Sequence, residues 1–252
     1  MPFTFSHPAV VLPFCNVKKM CLSFTGLVAG SIIPDVEFLL RLRNTENLGH
    51  TWYGIFLIDM PMAIVFSFIF HNLIRDIMVL HLPAFFRQRL SLMPAFNWTE
   101  YFKQHKLIVL LSIFIGILSH LILDVFTHKN KLIGHIFKPF NSELMIGGHA
   151  VHLYFILQVG FSILGLLYML WFVCRMEKQV LLPAPPTLLQ YWISLLLIAV
   201  LLFAVRVVVD RVHQSSDDII IAATGSLVYA LLIVSVYYFK KQKAFKKISP
   251  AV

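Results

Sequence analysis

The stretch KLIVLLSIFIGILSHLILDVFTH, residues 106–128, decides how the chain is read. Residues 107 to 127 are apolar enough, and long enough at about 1.5 Å per residue, to cross about 30 Å of hydrocarbon. Yet His120, Asp124, Thr127 and His128 recur at i, i+4, i+7 and i+8, which lines them along one stripe of a helix. An aspartate at membrane depth costs roughly 2.5 to 3.5 kcal/mol on insertion scales, so ionisable groups gathered at one level need a shared reason. A bound cation is the leading one, because His120 and Asp124, one turn apart, can grip a single ion. The plain alternative is a His–Asp hydrogen bond that satisfies two buried groups.

Working outward, four more stretches qualify as spans, near residues 52 to 74, 151 to 174, 189 to 209 and 217 to 239. Hydrophobic residues make up 59% of the chain and charged ones 13%, with a mean hydropathy of +0.81. That is far from the soluble average of about 25% charged. The expected fold is therefore all-α and polytopic, with about five transmembrane helices. We expect one membrane-embedded domain over 1–252, with residues 1–150 as the core of a metal site and 151–252 as additional transmembrane helices. The start is expected to be retained, because Lys18 and Lys19 follow the apolar stretch Phe3 to Phe14, whereas a cleaved signal has its basic residues first.

His7 and Asp35 would lie on opposite faces of a membrane if one helix joined them. The apolar runs Ala9 to Phe14 and Cys21 to Ile33 are instead separated by Asn16, Val17, Lys18 and Lys19. This predicts an N-terminal hairpin of two short helices, re-entrant or interfacial, that returns Asp35 to the level of His7. Of the connections, 75 to 106, 175 to 188 and the tail carry twelve Lys and Arg residues against eight in the opposite set. The tail is thus expected to be cytoplasmic and the His/Asp cluster to face outward from the cytoplasmic membrane. Leu82 to Arg87 reads as an interfacial helix.

Other chain-distant pieces supply further donors. Ser6-His7-Pro8 and Gly49-His50-Thr51 each place an imidazole at a helix start, and Pro34-Asp35-Val36-Glu37 supplies carboxylates. Nitrogen and hard oxygen donors without thiolates suit zinc, manganese or iron. Such an ion lowers the pKa of bound water toward 7, which makes hydroxide available for attack on an ester. Glu37 is a candidate general base, or a partner for Arg41 at i+4.

The phrases Thr4-Phe5-Ser6-His7-Pro8-Ala9, Gly30 to Asp35, Ser119 to His128 and Leu157-Gln158-Val159-Gly160 resemble an uncharacterised family of multi-span bacterial membrane proteins. More distantly, the order His, Pro-Asp, His-Thr, His-x-x-x-Asp is similar to membrane-bound metal-dependent hydrolases and to the zinc-dependent phospholipase C and S1/P1 nuclease group. That resemblance implies a helical fold, a zinc centre that cleaves phosphate esters, and His7, Asp35, His50, His120, Asp124 and His128 as ligands. The later His-x-x-x-Glu pair of the phospholipase group has no counterpart, since His149 and His152 are followed at that distance by Leu153 and Ile156. One or two ions are expected rather than three.

The remaining features receive plainer readings. His135, His149 and His152 read as loop residues able to supplement the site, and His71, His81, His105 and His213 as interface or loop residues. Asp59 and Arg206 are expected in buried polar networks, and Gln158 and Ser162 in interhelical hydrogen bonding. Cys15, Cys21 and Cys174 read as small apolar fillers. Trp52, Tyr53, Trp98, Tyr101, Tyr237 and Tyr238 form an aromatic belt. The net charge of +9 fits juxtamembrane lysines beside an anionic leaflet, so membrane lipids rather than nucleic acid are the expected partners, with a lipid or other phosphate ester as substrate. The competing class is non-enzymatic. It comprises an ion or proton carrier using Asp59, His120, Asp124, Gln158 and Arg206, and a metal-stabilised scaffold for partner proteins.

Overall fold

A computed structural model describes residues 3–15, 22–43, 48–91, 93–128, 142–180, 183–210 and 216–248. The helices are α1 (Pro8–Cys15), α2 (Phe24–Arg41), α3 (Trp52–Leu80), α4 (Ala84–Leu90), α5 (Trp98–Gln104), α6 (Lys106–Thr127), α7 (Leu153–Arg175), α8 (Leu188–Asp210) and α9 (Ser216–Ile248). A two-stranded antiparallel hairpin, β1 (Glu143–Ile146) and β2 (His149–His152), precedes α7, with Glu143 opposite His152. Among the described residues, five helices, α3 and α6 to α9, are long and apolar enough to cross a membrane. Among the described residues the fold is all-α apart from that small hairpin.

The first span runs on to Leu80 rather than ending near residue 74. It contains two stretches of wider π-helical turn, Ile55–Asp59 and Phe70–Ile74. Each extra residue rotates the polar side chains away from the stripe that strict 3.6-residue spacing assigns them, and such turns often accompany functional positions.

The chain divides into two compact units. The first comprises Met1–Asp35, Leu48–Ile64 and His105–Arg175. Here the anticipated N-terminal helical pair is present as α1 and the leading part of α2, and α2 continues through Pro34 to Arg41. Small residues let α2 approach α6 closely: a Cβ on Gly30 would overlap the Ile113 carbonyl, and one on Gly116 would overlap that of Leu27. Without a hydrophobic driving force between helices in lipid, close backbone packing of this kind is what holds them together. Ser23 N donates to Ser112 Oγ at 2.8 Å, which fixes the register of the pair.

The second unit comprises Val36–Asn47, Val65–Gln104 and Met176–Val252. Its core joins Ile77, Tyr191, Leu195, Ala199, Ala230, Val234 and Tyr238. His71 and His81, expected at an interface or in a loop, are buried here. Arg75 donates to His71 Nδ1 at 2.8 Å and to the Phe96 carbonyl at 2.7 Å. His81 donates through Nδ1 to the Ile77 carbonyl at 2.8 Å, pairs through Nε2 with the Thr187 hydroxyl at 3.0 Å and stacks on Tyr191. Trp98 and Tyr238, expected in the aromatic belt, are also buried, because these imidazoles give them ring partners. Trp52, Tyr53 and Tyr237 are exposed, as a belt requires. Cys174 is exposed on α7, so the filler reading does not hold for it.

Candidate metal centre

Four parts of the first unit supply the centre. The N-terminal turn is held by Ser6 Oγ donating to the Phe3 carbonyl at 2.7 Å and by Phe3 N donating to Ser162 Oγ at 2.8 Å. His7 follows that turn, and Pro8, with its preset φ, begins α1. On α2, Asp35 is fully buried, and Thr4 Oγ1 donates to its Oδ2 at 2.9 Å. His50 lies in a short loop locked to the start of α3: Thr51 Oγ1 accepts from Gly54 N and donates to the Leu48 carbonyl. His120 and Asp124 lie on the last turns of α6.

The donor atoms converge. His50 Nε2 is 3.1 Å from Asp124 Oδ2 and 3.9 Å from Asp35 Oδ1. His120 Nε2 is 3.4 Å from Asp124 Oδ2 and 3.5 Å from Asp35 Oδ1. One ligand atom from each of Asp35, His50, His120 and Asp124 lies within 4.8 Å of all the others. Donors about 2.1 Å from a common ion stand about 3.4 Å apart at tetrahedral corners, so these spacings bracket what one ion needs.

Hydrogen bonding prepares the set for that role. His120 Nδ1 donates to the Ser31 carbonyl at 2.9 Å, which turns Nε2 toward the carboxylates. Outer hydrogen bonds of this type, with Thr4 on Asp35 as a second example, fix tautomer and orientation in metal sites. Five buried atoms of the cluster have no hydrogen-bond partner among the described residues: His7 Nδ1 and Nε2, Asp35 Oδ1, His120 Nε2 and Asp124 Oδ1. Buried polar atoms are normally paired, so orphans gathered around one point mark a place for a ligand. A divalent cation fits this donor set.

His7 stacks on His120 with ring centroids 3.9 Å apart, and its Nε2 is 4.0 Å from Asp124 Oδ1. Burial, and then the neighbouring His120, lower its pKa to about 3, which keeps a lone pair available on this imidazole near neutrality. His128 is placed differently from its expected position on the helical stripe. The helix ends at Thr127, and His128 is its extended cap, with Nδ1 3.1 Å from the Asp124 carbonyl and 3.5 Å from Asp124 Oδ1. Burial also depresses its pKa. His7 and His128 thus border the four-donor group on the Oδ1 side of Asp124. Side-chain exposure rises from 0% at Asp35 and His120 to 14% at Asp124, 28% at His50 and 38% at His128. The group is closed at its back and open beside His50 and His128.

Other candidate residues fall elsewhere. Glu37, two residues after Asp35, pairs with Arg41 one turn on. His152 faces Glu143 across the hairpin at 3.8 Å and stacks on Tyr154. His135 and His213 lie outside the described residues. Ser162 Oγ donates to the Gln158 carbonyl while accepting from Phe3, so this pair tethers the N-terminal turn. The contribution of Thr4 was missed in the sequence. Its only signal is a hydroxyl three residues before His7.

The helices and the cluster together define a multi-span α-helical protein of membrane type with a candidate metal-binding group. Residues 1–236 match the model of a domain of unknown function, DUF4184, and the chain belongs to that family. No curated protein and no solved structure matches it.

Proposed function

We propose that the protein is a membrane-bound, metal-dependent hydrolase of a phosphate ester, with a phospholipid or lipid-linked phosphate as substrate. The observation that supports this most is the set of orphaned buried donors from α2 and α6, within one ion's reach of His50 and closed on one side only. The site faces outward in this reading, with the tail cytoplasmic, as the distribution of basic residues favours. One or two divalent cations, zinc in the first instance, are held by Asp35, His50, His120 and Asp124, with His7 and His128 at the border. When bound, the cation supplies Lewis acidity toward a phosphoryl oxygen and acidifies a water molecule.

The chain's own residues then have separable tasks. Thr4 and the Ser31 carbonyl orient Asp35 and His120. His50 and His128, at the open side, meet the substrate. His7, kept neutral, offers a ring nitrogen near Asp124 and completes the wall through its stack on His120.

The test is hydrolysis of a fluorogenic phosphate diester and of a labelled phospholipid by purified protein in nanodiscs. The expected result is turnover that stops with a chelator, returns with zinc or manganese, and is lost in Asp124→Ala. Turnover that persists in the chelated enzyme and in Asp124→Ala would contradict the reading, as would metal-loaded protein that hydrolyses neither substrate.

A further inference from the structure

The second unit presents a different unassigned feature, at the end where α3 leaves its apolar run. His81, just past α3, stacks on Tyr191 and packs edge-on against Tyr238, and its carbonyl accepts from Trp192 Nε1 at 2.7 Å. The chain then turns into α4, whose Arg87 donates to the Leu82 carbonyl at 3.3 Å. Gln179 N donates to the Gln88 carbonyl at 3.0 Å, which brings Lys178 alongside α4. On α9, Lys240 and Lys241 follow Tyr238 within three residues, and both are exposed.

The Gln179–Gln88 and His81–Tyr238 contacts tie the segments 176–180 and 237–242 to the chain at and just after His81; with 84–90 these segments carry Arg87, Arg89, Lys178, Lys240 and Lys241, and Glu177 is their one carboxylate. Two further observations separate this from an ordinary solvated face. Arg87 is only 5% exposed, yet its Nε, sealed from solvent, donates to no acceptor among the described residues; Arg89 Nε is in the same position. Exposed apolar groups, Phe85, Val180 and Tyr237, flank the cations, and the Arg89 guanidinium lies 4.0 Å over the Phe85 ring. Guanidinium groups with donors to spare, set among apolar rings at the end of spanning helices, match the depth at which lipid phosphate lies beside acyl chain.

We propose that this end of the second unit binds the phosphate of an anionic phospholipid, with Arg87 and Arg89 as the principal donors and Lys178, Lys240 and Lys241 as supporting charge. The site is independent of the metal centre. Cations near an anionic leaflet each contribute enough to change affinity about fivefold.

The experiment uses full-length protein, delipidated in a neutral detergent and treated with chelator. Binding of phosphatidylglycerol, phosphatidylcholine and inorganic phosphate is measured by native mass spectrometry and thermal shift. Phosphatidylglycerol is expected to bind and raise the melting midpoint, with phosphatidylcholine and phosphate giving little effect. Arg87→Gln/Arg89→Gln should lose about 25-fold in affinity, at about fivefold for each cation. Lys240→Gln/Lys241→Gln, which alters only exposed side chains, should lose up to about 25-fold by the same arithmetic and keep the wild-type midpoint without lipid. Equal binding of the two lipids would overturn the proposal. So would full stabilisation by inorganic phosphate, or unchanged phosphatidylglycerol affinity in both double variants.

Discussion

Two networks of buried ionisable side chains, one around His81 and Arg75 and one around Asp35 and Asp124, are completed in opposite ways. In the second unit, Arg75 meets His71, Asp76 and the Phe96 carbonyl, and His81 meets Ile77 and Thr187. In the first, Asp35, His7, His120 and Asp124 each keep at least one buried atom without a hydrogen-bond partner among the described residues. The chemistry of the residues is similar in the two places, and the difference lies in whether protein groups complete the valences. Completed networks hold a fold together, whereas incomplete ones that point at a common centre are built for something else to complete them.

The sharpest way to break this comparison is to alter Asp35. Its Oδ1 stands near both His50 and His120, and Asp35→Ala removes a ligand outright. Zinc affinity, measured by competition with a chromophoric chelator, should fall by more than the roughly 10–100-fold that loss of an outer hydrogen bond gives. The next effect comes from geometry. Gly30→Leu forces α2 away from the Ile113 carbonyl of α6, at a cost of about 1 to 3 kcal/mol in stability, and it should also lower metal content although no donor is touched. Denaturant-dependent helicity and metal analysis read the two consequences separately.

Thr4→Val is expected to act between these extremes, with folding intact and zinc affinity reduced about 10–100-fold, because Asp35 Oδ2 loses its hydroxyl donor. In the second unit, His81→Gln should cost about 1 to 3 kcal/mol in stability with metal content unchanged. If it depleted the metal as well, the two networks would not be separable.

The smallest effect is that of pH on metal-free protein. His7, His81 and His128 have folded-state pKa values lowered chiefly by burial, His7 to about 3. At these three positions the unfolded chain takes up protons below about pH 6.5 that the folded chain does not, so their contribution to stability is full above that value and declines as pH falls toward 3. Between about pH 6.5 and 4.5 the thermal midpoint of metal-free His7→Gln should fall less steeply than that of the wild type, because the proton uptake that favours the unfolded chain at this position is gone.

Much of this was legible in the chain. The five spans followed from apolar length, and the charged break at Lys18 and Lys19 indicated the N-terminal helical pair that brings His7 and Asp35 together. Spacing alone placed His120 and Asp124 on one face. Periodicity failed where the helix departs from 3.6 residues per turn or ends. The π turns of α3 carry Asp59 and His71 into buried positions, and α6 stops one residue before His128. The burial of His71, His81 and Trp98 depended on tertiary ring partners, Trp98, Tyr191 and His71 respectively, which no local pattern announces. Thr4 was invisible for the same reason, since its role exists only once Asp35 arrives from 31 residues away.

The most direct test is the metal content of purified protein, wild type beside Asp124→Ala, His120→Ala and the control His81→Gln. The account predicts one or two equivalents of a divalent metal in the wild type and in His81→Gln, and loss of that metal in the two cluster variants. Equal metal content in all four proteins would contradict it.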